Sequence, residues 1–468
     1  METATVVLLA LVGYKILLIG VGFWASRRNE SGEDFFLGGR QLGPWVAGIS
    51  YSASASSAWT LLGLSGAAYT LGVSVIWVAL GSISGMFVAW YYIARRVCEA
   101  SHAGQLLTMT DFFVHDLSPS WRSKIVKSIS FIVLFSFVFY VAAQFQGAGT
   151  AFAGAFGMPR TEALLLGALI VLIYTWLGGF WAVSLTDTIQ GTVMALAAVA
   201  LPVATLSYVG GIDGFINGLA KVSSPEQLSF TAGNGLLLGL GIIVGGLSIG
   251  FGTYGQPHLI VRFMALRDDK ARRSAALITA VWYLIVFLGM VFLGLAGRVI
   301  NPELANSEQV FFEVAGSVFP ALIAGLLTAA VLSAIMSTAD SQLLVSASTL
   351  SHDLKLEDRF PGSRLLIGRI AVLVVVLASA LVALYMPAQI FSRVLFAWVA
   401  LGAAFGPLLF ARLFGWQISP LGQFSGIWLG FGLAVGLSWL PDTTGDFAER
   451  FLPFALHFIF LYLIRLRS

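Results

Sequence analysis

The sequence predicts an all-α polytopic membrane protein, and two observations support this prediction. Of the 468 residues, 58% are hydrophobic and 10% are charged, a balance that no soluble domain of this length shows. The chain is also divided into apolar runs of about 20 residues, the length that crosses a bilayer as a helix. The net charge of +3 gives no support to nucleic-acid binding.

Thirteen such runs follow one another along the chain. They span 4–26, 42–70, 73–96, 124–153, 161–181, 184–209, 236–255, 272–299, 314–350, 364–386, 389–414, 421–440 and 449–466. Several are longer than the bilayer is thick, so we expect tilted or broken helices. The first run is too long for a cleavable signal peptide and lacks a cleavage site before Arg27, so we expect it to be retained as a span.

The charges in the loops predict the orientation of the chain. With the N-terminus outside, the loops assigned to the inside contain 20 of the 26 Lys and Arg residues. The exceptions are Arg160, Lys221, Arg298, Arg393 and Arg450 on the outside and Lys15 within the first run. This asymmetry predicts an outer N-terminus and a cytoplasmic C-terminus in a cell inner (plasma) membrane. The single cysteine, Cys98, excludes an intramolecular disulfide.

Two of the predicted helices are rich in small residues that weaken helical structure. These segments are 50–58 in the second run and 245–255 in the seventh, and each opens a block of five helices. Interrupted helices at matched positions are typical of inverted-repeat transporters. We therefore divide a single transporter domain, 1–468, into an extra helix (1–41), two repeats (42–209 and 236–414) and two C-terminal helices (415–468). Close helix packing by glycine is the alternative interpretation.

The ninth predicted helix has a polar face within an otherwise apolar segment. At helical spacing Ala334, Ser337, Thr338 and Ser341 share this face, and Asp340 follows Ser337 by three residues. Polar groups at membrane depth are costly and by default indicate an ion or substrate path. Oxygen ligands without nitrogen or sulfur suit a hard cation.

A set of short motifs resembles the sodium/solute symporter family, most closely its sodium/proline symporter branch. In order, the motifs are Phe35-Phe36-Leu37-Gly38-Gly39-Arg40, Trp176-Leu177-Gly178-Gly179-Phe180 with Ser184–Gln190, Gly255-Gln256-Pro257-His258, Met336–Leu344, Ala397-Trp398 and Gly402–Pro407. The resemblance covers nearly the whole chain. It implies a leucine-transporter-like 5+5 inverted-repeat core of ten helices, preceded by one helix and followed by two, in agreement with the count of thirteen.

The resemblance also implies a main sodium site between the first interrupted helix and the polar face. Its ligands would be the carbonyl groups of Ala53, Ser56 and Ala334 and the hydroxyl groups of Ser337 and Thr338. Five neutral oxygens can replace the hydration shell of a monovalent cation and still release it. The alternative for the two hydroxyls is a hydrogen bond to the carbonyl four residues earlier.

Two carboxyl groups suggest a second site. The chain has Ala55 where the proline branch has an Asp, and Asp340 where that branch has none. Asp187 matches a family position that belongs to a second sodium site in some members. A possible second site therefore comprises Asp187, Ser337, Asp340 and Ser341. Structural roles for either Asp, and protonation of one of them with proton coupling, remain open.

The substrate pocket is also placed by the resemblance. The matching positions are Ser57, Trp59, Gly63, Tyr140, Gln144, Ile249, Thr253, Tyr254 and Trp398. Because the proline branch has aromatic residues where this chain has Ile249 and Thr253, proline itself is in doubt as the specific ligand. The positions include no Arg or Lys, so a substrate carboxylate would rest on backbone amides, which suits a small zwitterion or monocarboxylate. Ordinary packing is the alternative for the aromatic residues, and an interhelical bond for Gln144.

We therefore predict a sodium-coupled symporter that imports a small organic solute, either an amino acid such as proline or a related zwitterion or monocarboxylate. Its partners would be the solute, sodium ions and the lipid bilayer, and we expect it to work as a monomer. No cofactor beyond sodium is expected, since the chain has no Walker motif and none of its five histidines lies at metal-ligand spacing in the sequence. The alternatives are a proton-coupled symporter, a transporter-like membrane sensor and, least of all, an enzyme with Asp187 and Asp340 as an acid pair.

Overall fold

The computed structural model describes residues 13–14, 16–18, 20–21, 24, 37–175, 180–356, 364–386, 388–441 and 443–465. Most of the first predicted span, 4–26, lies outside these residues, as do Phe35 and Phe36 of the first motif and 176–179 of the second. The described chain contains nineteen α-helices and no β-strand, with one isolated bridge between Leu42 and Leu266. The all-α class is confirmed.

The helices follow one another through short connections. The first ten are α1 (Pro44–Ala55), α2 (Leu64–Leu71), α3 (Ile76–Val88), α4 (Ala94–Gly104), α5 (Met109–Val114), α6 (Pro119–Phe156), α7 (Arg160–Thr175), α8 (Phe180–Tyr208), α9 (Gly211–Val222) and α10 (Leu236–Leu247). The others are α11 (Ile249–Gly252), α12 (Pro257–Met264), α13 (Asp269–Ile300), α14 (Val310–Val318), α15 (Ala321–Ser348), α16 (Arg364–Tyr385), α17 (Ile390–Leu413), α18 (Pro420–Leu437) and α19 (Phe447–Ile464). Three π-helical segments, Trp59–Gly63, Ala89–Ile93 and Thr349–Asp353, extend α2, α3 and α15.

Ten helical stretches in the described part of the chain are long and apolar enough to cross a membrane. One of them, Trp59–Gly104, covers the end of the second predicted span and all of the third, and the chain bends inside it at Gly72. Gly72 has a φ of +74°, in the left-handed region that a residue without Cβ tolerates best. The multi-pass architecture is confirmed, and the total of thirteen spans stays a prediction.

Both predicted interruptions are present. Helix α1 ends at Ala55, and Ser56 is extended (φ −109°, ψ 101°) before the chain resumes helical structure at Ala58. The second interruption begins where α10 ends at Leu247 and continues through the single turn α11 to Gln256, which is again extended. Serine and glycine lower helix stability, which explains why both breaks fall in these small-residue segments.

The second interrupted helix packs closely on α3 through glycines. A Cβ on Gly85 would lie 2.6 Å from the Cα and carbonyl oxygen of Gly250, and a Cβ on Gly81 would lie 2.4 Å from the carbonyl oxygen of Gly246. These neighbours are backbone atoms, which cannot rotate away. Small residues four positions apart on both partners permit this approach, as in other membrane helix pairs.

Replacement of Gly85 by Ala should therefore destabilise the protein by about 1–3 kcal/mol, the usual cost of overpacking. The measurement is the unfolding temperature of purified protein in detergent. Gly432→Ala is the matched control, because a Cβ at that position meets nothing within 4 Å. Equal unfolding temperatures for the two variants would contradict the close packing of α3 on the second interrupted helix.

Segments that the charge pattern assigns to the inside meet at one end of the helix bundle. Arg412, at the end of α17, forms an ion pair of 2.8 Å with Asp116 after α5. Arg272, near the start of α13, donates a hydrogen bond of 3.1 Å to the carbonyl of Trp90. The arginine on Asp116 lowers the pKa of that carboxyl group, although partial burial opposes the shift. We name this end of the bundle the basic face.

Candidate functional site

The polar face of α15 lies directly against the end of α1. Ser337 Oγ donates a hydrogen bond of 3.0 Å to the carbonyl oxygen of Ala53 and one of 3.3 Å to that of Ala334. Thr338 Oγ1 lies 3.2 Å from the carbonyl oxygen of Ser54 and 3.4 Å from that of Ala53. Because α1 stops at Ala55, the carbonyls of Ala53 and Ser54 belong to its last turn and have no intrahelical partner four residues later. The structure therefore brings four of the five predicted sodium ligands into contact, with their oxygens facing each other.

The fifth predicted ligand, Ser56, forms the break itself. The Ser56 amide donates a hydrogen bond of 3.0 Å to the carbonyl of Ser52. Two residues later in the chain, the Ala58 amide donates a hydrogen bond of 3.1 Å to Gln144 Oε1 on α6. Gln144 thus satisfies a donor that the broken helix leaves open. It holds the break in place. This contact is the interhelical hydrogen bond that we considered as the alternative to substrate binding for Gln144.

Asp187 on α8 is the centre of a buried polar network. Its Oδ2 atom lies 2.6 Å from Arg262 Nη2 on α12 and accepts hydrogen bonds of 3.0 Å from both Ser50 and Ser54 on α1. Arg262 also donates 2.7 Å to Ser341 Oγ on α15. The Asp187 side chain has no exposed surface, and that of Arg262 is 2% exposed. The guanidinium group of Arg262 therefore joins three helices of the core, α1, α8 and α15.

Asp340 faces a different neighbour from Asp187. Thr175 Oγ1, at the end of α7, donates a hydrogen bond of 2.6 Å to Asp340 Oδ1. Ser337 is directed to Ala53, whereas Ser341 contacts the Asp187 network. Of the four residues predicted for a second sodium site, the structure thus joins Asp187 and Ser341, together with an arginine that the prediction did not include.

A small cavity lies beside the two breaks and contains five of the nine predicted substrate positions. The five are Trp59, Tyr140, Ile249, Thr253 and Trp398, and the lining is completed by Ala55, Ser82, Tyr283, Phe287, Val394 and Leu395. The cavity has a volume of about 10 Å³, close to that of one water molecule. In this conformation the aromatic walls are therefore closed on each other.

The other four predicted substrate positions lie outside this lining. Ser57 Oγ accepts a hydrogen bond of 3.1 Å from the Trp59 amide, and Gln144 binds the Ala58 amide. Tyr254 packs edge-on against Phe410 at 5.1 Å. Gly63 faces a second, larger cavity. These four residues shape the breaks and the approach to the cavity in this conformation.

The larger cavity is a vestibule of about 440 Å³ at the end of the bundle opposite the basic face. Phe391 forms part of its lining and stacks on Trp59, with ring centroids 5.8 Å apart and an interplanar angle of 18°. Glu308 in the lining accepts a hydrogen bond of 3.2 Å from the Phe391 amide, and burial raises the pKa of this carboxyl group. The Phe391–Trp59 stack therefore separates the vestibule from the small cavity.

The space toward the basic face is much narrower. A crevice of about 20 Å³ lies there, lined by Thr108, His258, Arg262, Ser341 and Ser348 among others. The Asp187 network lies between this crevice and the predicted sodium-ligand oxygens of α1 and α15. The structure is thus open at the vestibule and closed at the basic face.

The comparison with family models decides the family. The model of the sodium:solute symporter family matches residues 35–430, most of the chain. The chain belongs to the sodium:solute symporter family. This result confirms the resemblance read from the sequence motifs, and it places the protein among transporters rather than enzymes.

Two curated relatives of this symporter are proline transporters. The osmoregulated proline transporter OpuE of Bacillus subtilis is 34% identical over 452 residues, which cover 94% of this chain and 89% of that protein. The sodium/proline symporter of Escherichia coli is 34% identical over 444 residues, covering 92% and 87%. With the family, these relatives confirm a sodium-coupled symporter of a small organic solute in a membrane.

Solved structures confirm the leucine-transporter-like fold. A substrate-bound, outward-open structure of a Na⁺-coupled sialic acid symporter aligns with a TM-score of 0.81 at 19% identity and covers 99% of both chains. MhsT in complex with L-phenylalanine aligns with a TM-score of 0.57 at 15% identity, covering 90% of this symporter and 98% of MhsT. At these identities the likeness concerns the fold alone.

Sequence reasoning missed the arginine of the polar network and six of the eleven residues that line the small cavity. Arg262 was counted as a loop charge, but it lies on α12, whose eight residues are all buried. The one available signal was its distance from the motif Gly255–His258. Pro257 of that motif starts the short helix α12, and Arg262 follows it by five residues. Ser82, Tyr283 and Phe287 lie in uniformly apolar runs, where the sequence gives no signal for a pocket.

Proposed function

We propose that this symporter imports a small zwitterionic solute, with proline-like amino acids as the first candidates, by alternating access coupled to sodium. The observation that supports coupling is the contact of Ser337 and Thr338 with the open end of α1. One ion at this contact would join α15 to α1, and the end of α1 adjoins the cavity at Ala55 and, after the break, at Trp59. The curated proline transporters among the relatives favour the same solute class.

The proposed sodium ligands are the carbonyl oxygens of Ala53, Ser56 and Ala334 and the hydroxyl oxygens of Ser337 and Thr338. All are neutral, which suits a monovalent ion that has to be released in every cycle. The hydroxyl groups now donate to the carbonyls. When sodium enters, they would rotate so that their lone pairs face the ion, because a hydroxyl group can either donate or accept.

The second sodium site at Asp187, Ser337, Asp340 and Ser341 stays a prediction, and the geometry favours another role for Asp187. Its carboxylate already pairs with the guanidinium group of Arg262. We therefore propose one sodium ion per cycle and assign the Asp187–Arg262 pair to closure of the path toward the basic face. Solvation of this pair would accompany opening on that side.

The solute would bind in the cavity between Trp59, Tyr140 and Trp398. The lining contains no Arg or Lys, so a carboxylate would be bound by amides and helix ends at the breaks. Entry through the vestibule requires Phe391 to leave Trp59, which would also enlarge the cavity. By the positive-inside rule the basic face is cytoplasmic, which makes the described conformation one with its opening to the outside.

A thermal-shift screen of purified protein against small amino acids, monocarboxylates, sugars and vitamins tests the function directly. We expect a proline-like zwitterion to raise the unfolding temperature in sodium chloride and to have little effect in choline chloride at equal ionic strength. At 100 times its dissociation constant a ligand adds about 2.7 kcal/mol to the stability. Equal stabilisation in both salts would contradict sodium coupling, and a response to sugars alone would contradict the solute class.

A further inference from the structure

Three metal-ligating side chains from two distant segments of the chain meet at the basic face. Asp111 belongs to α5, and His352 and Asp353 belong to the π-helical segment that ends α15. One ligand atom from each lies within 4.8 Å of the other two. All three residues are partly buried, so none is a freely solvated surface charge. We name this group the Asp–His–Asp cluster.

The cluster has a supported geometry. His352 Nε2 lies 3.1 Å from Asp111 Oδ2, close to the edge length of about 3.3 Å expected between two ligands of a tetrahedral zinc ion. Asp353 accepts hydrogen bonds of 2.9 Å from Thr108 and 2.8 Å from Thr110. The amide of Thr108 donates 3.3 Å to Asp111. Such outer contacts fix the orientation of carboxylate ligands in metal sites.

The donor atoms of the cluster also favour a divalent cation, although one arginine offsets part of the negative charge. Two carboxylates lie together with one imidazole, and Arg122, whose side chain is 44% exposed, approaches Asp111 Oδ1 at 3.7 Å. A mixed set of one imidazole nitrogen and two carboxylate oxygens is typical of zinc and related transition metals, with water as the fourth ligand. Magnesium and calcium prefer oxygen ligands alone.

We propose that Asp111, His352 and Asp353 form a binding site for a divalent transition metal, with Zn²⁺ as its probe, that bridges α5 and the end of α15. The bridge is the important consequence, because α15 also carries Ser337 and Thr338. A metal at this position would hold the basic face closed. Metal binding does not depend on the proposed solute, so its test is independent of the transport assignment.

The test is titration of purified, tag-free protein with zinc, using isothermal calorimetry and the unfolding temperature. The parent protein carries Cys98→Ser, because the Cys98 sulfur lies 3.9 Å from His102 Nε2 and the two form a competing pair. We expect one zinc ion per chain and a higher unfolding temperature with zinc than with EDTA. His352→Gln and Asp111→Asn should each weaken zinc binding at least tenfold and remove the thermal shift.

His115→Gln is the matched control, since this histidine ends α5 but contacts the Phe112 carbonyl instead of the cluster. It should bind zinc as the parent does. Folding of each variant is checked by its unfolding temperature in EDTA, and Asn at position 111 keeps a side-chain oxygen for the nearby amides. Unchanged zinc affinity in His352→Gln would overturn the site. If His352→Gln weakens zinc binding but Asp111→Asn does not, the proposed bridge between α5 and α15 is overturned.

Discussion

Replacing Arg262 with Gln should cost this symporter about 3–5 kcal/mol of stability, the range for breaking a buried ion pair from one side. The loss arises because the Asp187 carboxylate has no exposed surface, so removal of Arg262 leaves a buried negative charge without a compensating cation. Ser50 and Ser54 would still donate to it, but neutral hydroxyls do not replace a cation. Asp187→Asn should destabilise in the same way by leaving the guanidinium group without its carboxylate.

A double-mutant cycle separates the pair from its surroundings. The double variant Asp187→Asn/Arg262→Gln should be more stable than the sum of the single losses predicts, since it leaves no uncompensated charge. The measurement is the unfolding free energy in detergent for the four proteins. Arg273→Gln is the matched control, because Arg273 pairs with Asp269 at 2.8 Å but is 73% exposed, and such a pair contributes at most about 1 kcal/mol. Equal losses for Arg262→Gln and Arg273→Gln would contradict the buried pair.

The main features of the fold could be predicted from the sequence because they have local causes. Apolar runs define spans, and serine or glycine at 50–58 and 245–255 weakens the helix where both breaks occur. The contact of Ser337 and Thr338 with the end of α1 could also be predicted in part, since hydroxyls in an apolar helix require partners and the break in α1 offers carbonyls. Such signals lie within one segment and need no knowledge of the neighbouring helix.

Contacts between distant segments of the chain were harder to predict from the sequence. Asp187 and Arg262 are 75 residues apart, and nothing in the charge pattern pairs them. Asp340 illustrates a second limit, because adjacent residues on a helix point about 100° apart. Whether Asp340 or Ser341 faces Asp187 depends on the rotation of α15, which its packing against neighbouring helices, chiefly α6 and α8, determines. The Asp–His–Asp cluster is a third case, since only the fold brings Asp111 to the adjacent pair His352 and Asp353.

Replacing Ser337 or Thr338 with Ala should weaken the apparent affinity for sodium by about tenfold or more, since each variant removes one oxygen ligand and tenfold corresponds to about 1.4 kcal/mol. Thr338→Ser keeps the hydroxyl and should retain most of the affinity. Ser346→Ala is the matched control, as Ser346 is buried on the same helix but donates 2.8 Å to the Gln342 carbonyl. The measurement is sodium titration of solute uptake in proteoliposomes. The same sodium dependence in Ser337→Ala, Thr338→Ala and Ser346→Ala would contradict the ion site.

Linkage makes this prediction stricter, because sodium and solute must change each other's affinity by the same factor. Removal of one oxygen ligand from the ion site should lower the affinity for the solute at low sodium concentration. The solute affinity should recover at saturating sodium. A solute affinity that stays low at saturating sodium would instead place Ser337 or Thr338 in direct contact with the solute. The solute affinity at the two sodium concentrations therefore distinguishes an ion ligand from a pocket residue, although both positions adjoin the same break in α1.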